Sequence, residues 1–123
     1  MSWQIDNIPE QLKGNEVYEH LYEKAIRCYS SYCFAVNRLR EEQRKHVKGS
    51  KANSLLRATN DFHRHSSELN TMLDVLTAIV LGRVIDYFDD DYLNAESYVK
   101  LAVVTDAESI YPMLADMRKD VCW

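Results

Sequence analysis

Glycine and proline are nearly absent from this chain: three glycines and two prolines occur in 123 residues. So few breakers leave little room for the turns of an all-β fold. Three scattered glycines also cannot build a Gly-rich phosphate loop. Cysteine is scarce too, at three residues, with no Cys-x-x-Cys pair and no Cys/His spacing suited to a metal. Cys28 and Cys33 stand five apart, about 140° around a helix, and point different ways. They read as small core residues, and Cys122 as an exposed thiol. Long apolar runs are missing. The stretch from Leu76 to Gly82 is interrupted by Thr77 and is far too short to span a bilayer. Residues 1–20 carry Asp6, Glu10, Glu16 and Glu19 and lack the basic and apolar regions of a signal peptide. A soluble, cytoplasmic protein without membrane contact is the expectation.

What is present is a folding composition, 46% apolar and 28% charged, in a chain sized for one domain. We read 1–14 as an N-terminal arm and 15–123 as a single helical domain. In the arm, Pro9 suits the start of a short helical turn and Gly14 its end. Asn15 is a candidate N-cap for a helix reaching about Val47. Its apolar row is Tyr18, Tyr22, Ala25, Tyr29, Tyr32, Val36 and Leu39, in steps alternating four and three. Leu21, Cys28 and Ala35 widen that face, so the helix needs more than one neighbour.

After a polar link at 49–54, a second row runs Leu55, Thr59, Phe62, Ser66, Leu69, Leu73, Leu76 and Val80, then Val84 and Tyr87. It predicts a helix from about Lys51 to Phe88, continuous through Ser66. Gly82 would then lie inside it, at a close helix crossing. Asp89, Asp90 and Asp91 would end it, because acids oppose the C-terminal dipole. Asn94 is a candidate cap for a third helix through about Val104. The capping-box pattern at 105–108 and Pro112 place a fourth from Ser109 to about Asp120. The expected fold is all-α: a long antiparallel helical hairpin plus two short C-terminal helices. Each long helix would measure roughly 50 Å, against a radius of gyration of about 14 Å for a compact chain of this size. Two short helices cannot cover such a hairpin, so a homodimeric bundle is expected.

Charge is segregated along the chain. Residues 1–26 carry a net -3, residues 27–64 a net +6, and residues 65–123 a net -7. The middle block holds Arg38, Arg40, Arg44, Lys45, Lys48, Lys51, Arg57 and Arg64, and a hairpin gathers these at its closed tip. Such a tip could meet the acidic end of a second copy, an acidic protein, or a nucleic acid. No aromatics interleave it, so base stacking is not supported.

Arg57 and His63 have Arg-x5-His spacing, which loosely resembles the Arg-x(4–6)-His signature of HEPN ribonucleases. In that family an arginine and a histidine from each of two protomers face RNA across a dimer cleft. The resemblance implies proton transfer by His63 and phosphate stabilisation by Arg57. Ala58 departs from the family's usual polar residue, and Arg40 and His46 repeat the spacing. His63 and His65 do not face one ligand, and His20-x-x-Glu23 and His65-x-x-Glu68 reverse the di-iron order. Asp89 to Asp91 lack the spacing of a calcium loop. No motif asks for a metal or cofactor.

Tyrosine at four seam positions is unusual, since a pure coiled coil would use Leu or Ile. Tyr suits an interface. The expected function is a non-enzymatic protein-protein interaction module. By analogy with other small acidic helical chains, it would be an inhibitor, an immunity-type protein or a phage-encoded antagonist. Its candidate contact residues are Arg40, Arg44 and Lys48 at the tip, with Tyr22 and Tyr29 on the tyrosine face.

Overall fold

A computed structural model describes residues 7–47, 52–82, 88–117 and 123. Every regular element among them is helical. A single 3-10 turn, Glu10–Leu12, follows Pro9. Gly14 then adopts φ +85°, a left-handed conformation that turns the chain into the first long helix. That helix, α1, spans Glu16–Val47. The Asn15 side chain accepts the Tyr18 backbone N–H at 3.1 Å, the N-cap bond expected from the sequence.

The second helix, α2, spans Ala52–Leu81 and is unbroken at Ser66. It ends earlier than expected. Gly82 closes it at φ +70°, with its N–H bonded to the Ala78 carbonyl at 2.8 Å. Gly82 is therefore a helix stop and not the expected close crossing: its φ is left-handed, and no described residue beyond its chain neighbours lies within 4 Å of where its Cβ would sit. Val84 and Tyr87 lie outside the described residues.

The third helix differs most from expectation. It runs Asp90–Ile110 as α3, 21 residues long. The Asp89 carboxyl caps it, accepting the Asp91 N–H at 2.9 Å. The three acids thus begin a helix, where the dipole favours them, and do not terminate the one before. Asn94 is not a cap, and the pattern at 105–108 is not used as one. There the helix simply continues: the Thr105 hydroxyl donates to the Leu101 carbonyl at 2.7 Å, and Asp106 turns inward. Pro112 directly precedes the short helix α4, Met113–Met117. Residues 118–120 of the expected last helix lie outside the described residues.

Most of the expected α1 row and the later part of the α2 row form the core, while Leu39, Leu55, Thr59 and Ser66 are only partly buried. Tyr18, Tyr22, Ala25, Tyr29, Tyr32 and Val36 are buried, as are Leu69, Leu73 and Leu76 of α2. Contacts descend along α2 as they ascend along α1. Lys24 and Cys28 border Thr71 and Met72, the Tyr32 ring lies 5.7 Å from Phe62, and Arg38 meets Asp61. Val99 and Val103 of α3, with Leu114 of α4, complete the cluster. The C-terminal segment is therefore not two short helices, because α3 itself covers much of the face first assigned to a second copy. Among the described residues of α1, none beyond Val36 is buried, and of α2 only Ala58 is buried before Leu69. The last turns of α1 and the first turns of α2 form a limb outside the core.

Polar bonds hold the arm and the ends in place. The buried Asp106 carboxyl accepts the Tyr22 hydroxyl at 2.7 Å, the Asn7 side-chain amide at 2.7 Å and the Asn7 backbone N–H at 3.2 Å. Ile8 joins the core beside them. At the other terminus, the Trp123 indole N–H donates to Asn70 of α2 at 3.0 Å. Its ring lies 5.4 Å from Tyr29 of α1, and Lys100 of α3 stands over it.

Burial pushes the Tyr18 hydroxyl up to about 12, with a smaller effect from Tyr98. Burial, then the bond to Asp106, raises Tyr22 as well. Burial also raises Cys28 and Cys33. All four groups hold their protons more tightly when folded. Stability is then fully present below the unfolded values and falls as pH rises through them. Chemical denaturation should show a flat profile to about pH 9 and a decline that steepens above about pH 10. Each group contributes up to about 1.4 kcal/mol per pH unit. Tyr22→Phe should make that decline shallower; an unchanged slope would contradict this assignment. Gly82→Ala should cost about 1 kcal/mol from backbone strain alone, read as a shift in denaturation midpoint. A neutral effect would contradict the left-handed stop.

Candidate interaction surface

The basic block of the sequence lies largely on the limb, and part of its charge is neutralised within the chain. Arg38 meets Asp61 at 2.7 Å, and Arg64 approaches the same carboxyl at 3.6 Å. Lys45 lies 3.4 Å from Glu41 and 3.7 Å from Glu42. Apart from Glu42, these side chains are well exposed, and such exposed pairs contribute little to stability, about 0–1 kcal/mol. Their effect is on the field: they leave Arg40, Arg44 and Arg57 as exposed cations of the limb. Lys48 lies outside the described residues. Leu56 is exposed close to Arg57 in sequence, and Phe34 is half-exposed one turn before Arg38.

Tyr22 and Tyr29 are placed differently from expectation. They are 0% and 1% exposed, so they fill the chain's own core and offer no surface to a partner. The physical reason is the length of α3, which brings Asp106 to the Tyr22 hydroxyl. The seam buries the tyrosine rings, and the Tyr22 hydroxyl is anchored on Asp106. The Tyr18 hydroxyl has no hydrogen-bond partner among the described residues.

Arg57 and His63 are both exposed on α2. A spacing of six positions sets them about 120° apart around the helix and about 9 Å along it. One chain therefore does not aim them at a common point. The His63 ring packs edge-on to Phe62 at 5.3 Å. Among the described residues, no group of three His, Cys, Asp or Glu side chains is placed to hold a metal ion. No helix there is long and apolar enough to cross a membrane.

Two depressions follow the α1–α2 seam. One, of about 270 Å³, is lined by Ser31, Phe34, Ala35, Arg38, Asp61 and His65. The other, of about 250 Å³, is lined by Lys24, Cys28, Ser67, Glu68, Thr71 and Met72. No α3 residue lines either. On α1 these residues lie opposite the side of Tyr22 and Cys33, which face Asp106 and Glu108 of α3. The groove exists because Cys28, Ser31 and Ala35 are small and sit in one row. The sequence signal was the second apolar row through Cys28 and Ala35. Nothing in the pattern marked Phe34 or His65 as its walls. His65 keeps its Nδ1 buried there, without a hydrogen-bond partner among the described residues.

No family model, no curated protein and no solved structure matches this chain.

Proposed function

We propose that this chain is a non-enzymatic helical interaction module that acts on a larger protein by steric and electrostatic contact, as a small inhibitor or immunity-type antagonist does. The supporting observation is the limb, where Arg40, Arg44, Leu56 and Arg57 stand exposed beyond the last buried residue of α1. Arginine is among the residues enriched in binding hot spots. A net +6 block on a chain of net -4 steers toward an acidic surface while the rest of the molecule repels it, which orients the encounter. The working unit in this reading is a pair of chains in the cytoplasm.

Two other readings have narrower support. A polyanion could use the same arginines, although Glu41, Glu42 and Asp61 interrupt the positive surface. A HEPN-like ribonuclease would need Arg57 and His63 from two copies to converge.

The test is capture of a protein partner from cells of the source organism by the tagged chain. Reversing Arg40, Arg44 and Lys48 to Glu should abolish capture while the helical circular dichroism is unchanged. Capture that survives the triple change would refute the limb as the contact surface. Cleavage of RNA that His63→Ala abolishes would replace this reading with the ribonuclease one.

A further inference from the structure

We propose that the α1–α2 groove is the face through which two copies of this chain associate, about a two-fold axis parallel to the helices. The inference rests on the reading of the module as a pair of chains and specifies where they meet. The groove's two walls carry opposite charge at matched heights. Lys24 of α1 and Glu68 of α2 line one depression, and both are close enough to Cys28 to act on its thiol. Arg38 of α1 and Asp61 of α2 line the other. Arg64, the other cation on that stretch of α2, is drawn to Asp61.

A two-fold axis along the groove lays α1 of each copy on α2 of the other at equal height. Lys24 then faces the partner's Glu68, and Arg38 faces the partner's Asp61. The symmetry repeats both contacts, as an isologous interface requires. The Arg38–Asp61 pair becomes half of a four-membered network, and networks exceed isolated exposed pairs in value. Ser31 comes level with the partner's His65, whose buried Nδ1 lacks a hydrogen-bond partner within the described chain. The small side chains of Cys28, Ser31 and Ala35 permit close approach of the helices. Phe34, 48% exposed, supplies an aromatic knob next to them.

This geometry differs from setting each basic limb on the other copy's acidic end. The two arrangements respond to different charges, so substitution separates them. Lys24 and Glu68 are exposed and have no part in the core.

The experiment is sedimentation equilibrium of the full chain, followed by a charge swap. Wild type should be dimeric at micromolar concentration. Lys24→Glu alone and Glu68→Lys alone should each weaken the dimer on the order of tenfold, because each homodimer then carries two like-charge contacts. An equimolar mixture of the two variants should restore association, since the mixed pair has both contacts opposite in sign. Circular dichroism checks that each variant folds. A wild-type monomer at 100-fold higher concentration would overturn the proposal. So would a dimer that ignores both single variants but dissociates on reversal of Arg40 and Arg44. Either result leaves the capture experiment free to succeed or fail independently.

Discussion

The arrangement of this protein depends on how one carboxyl group, that of Asp106, is satisfied inside the core. At 2% exposure it has almost no access to water. A buried polar group without hydrogen bonds is costly, so its donors are a structural requirement. They include donors from two distant parts of the chain: Asn7 in the arm and Tyr22 in α1. Apolar contact is non-directional and tolerates sliding. Bonds at 2.7 Å do not. The Asp106 contacts therefore select one register of α3 along α1 and fix the arm against both.

The tyrosines are consistent with that requirement. A row of Leu would pack the same seam with no polar demand. The row here places large rings against one another, with Tyr18 and Tyr22 centroids 6.1 Å apart. Its hydroxyls and ring edges then need particular neighbours. Tyr22 finds Asp106, Tyr32 finds Phe62, and Tyr29 finds Trp123 from the far end of the chain. The tetrad spans the core, and its Tyr29 ring packs on Trp123. Beyond Val36 the α1–α2 pair continues with little buried apolar surface, and charge dominates there. Packing and exposed charge are separated along the same two helices.

Helical class, the span of α1, its Asn15 cap and the α1 seam as far as Val36 were legible in the sequence, because each rests on local or periodic signals. The continuity of α2 through Ser66 was legible for the same reason. Gly82 was ambiguous: a glycine within a periodic row can be a crossing or a stop, and only its φ decides. The acids at 89–91 were equally two-sided. They oppose the end of one helix and favour the start of the next, and the chain uses them for the second purpose. At 105–108 a valid capping box was overridden, because burying Asp106 against Tyr22 outweighs a local cap.

The candidate surface was legible only in part. The sequence by itself determined that the chain would be helical, where its positive charge would gather, and which residues would line the α1 seam. Periodicity and composition decide those properties locally. Tertiary structure alone decided that α3 is long and covers the tyrosine row, so that Tyr22 and Tyr29 are core and not surface. It alone brought Asn7, Tyr22 and Asp106 together, and Lys24 and Arg38 across from Glu68 and Asp61. Those groupings join residues far apart in the chain, and no pattern within one helix can encode the distance between two.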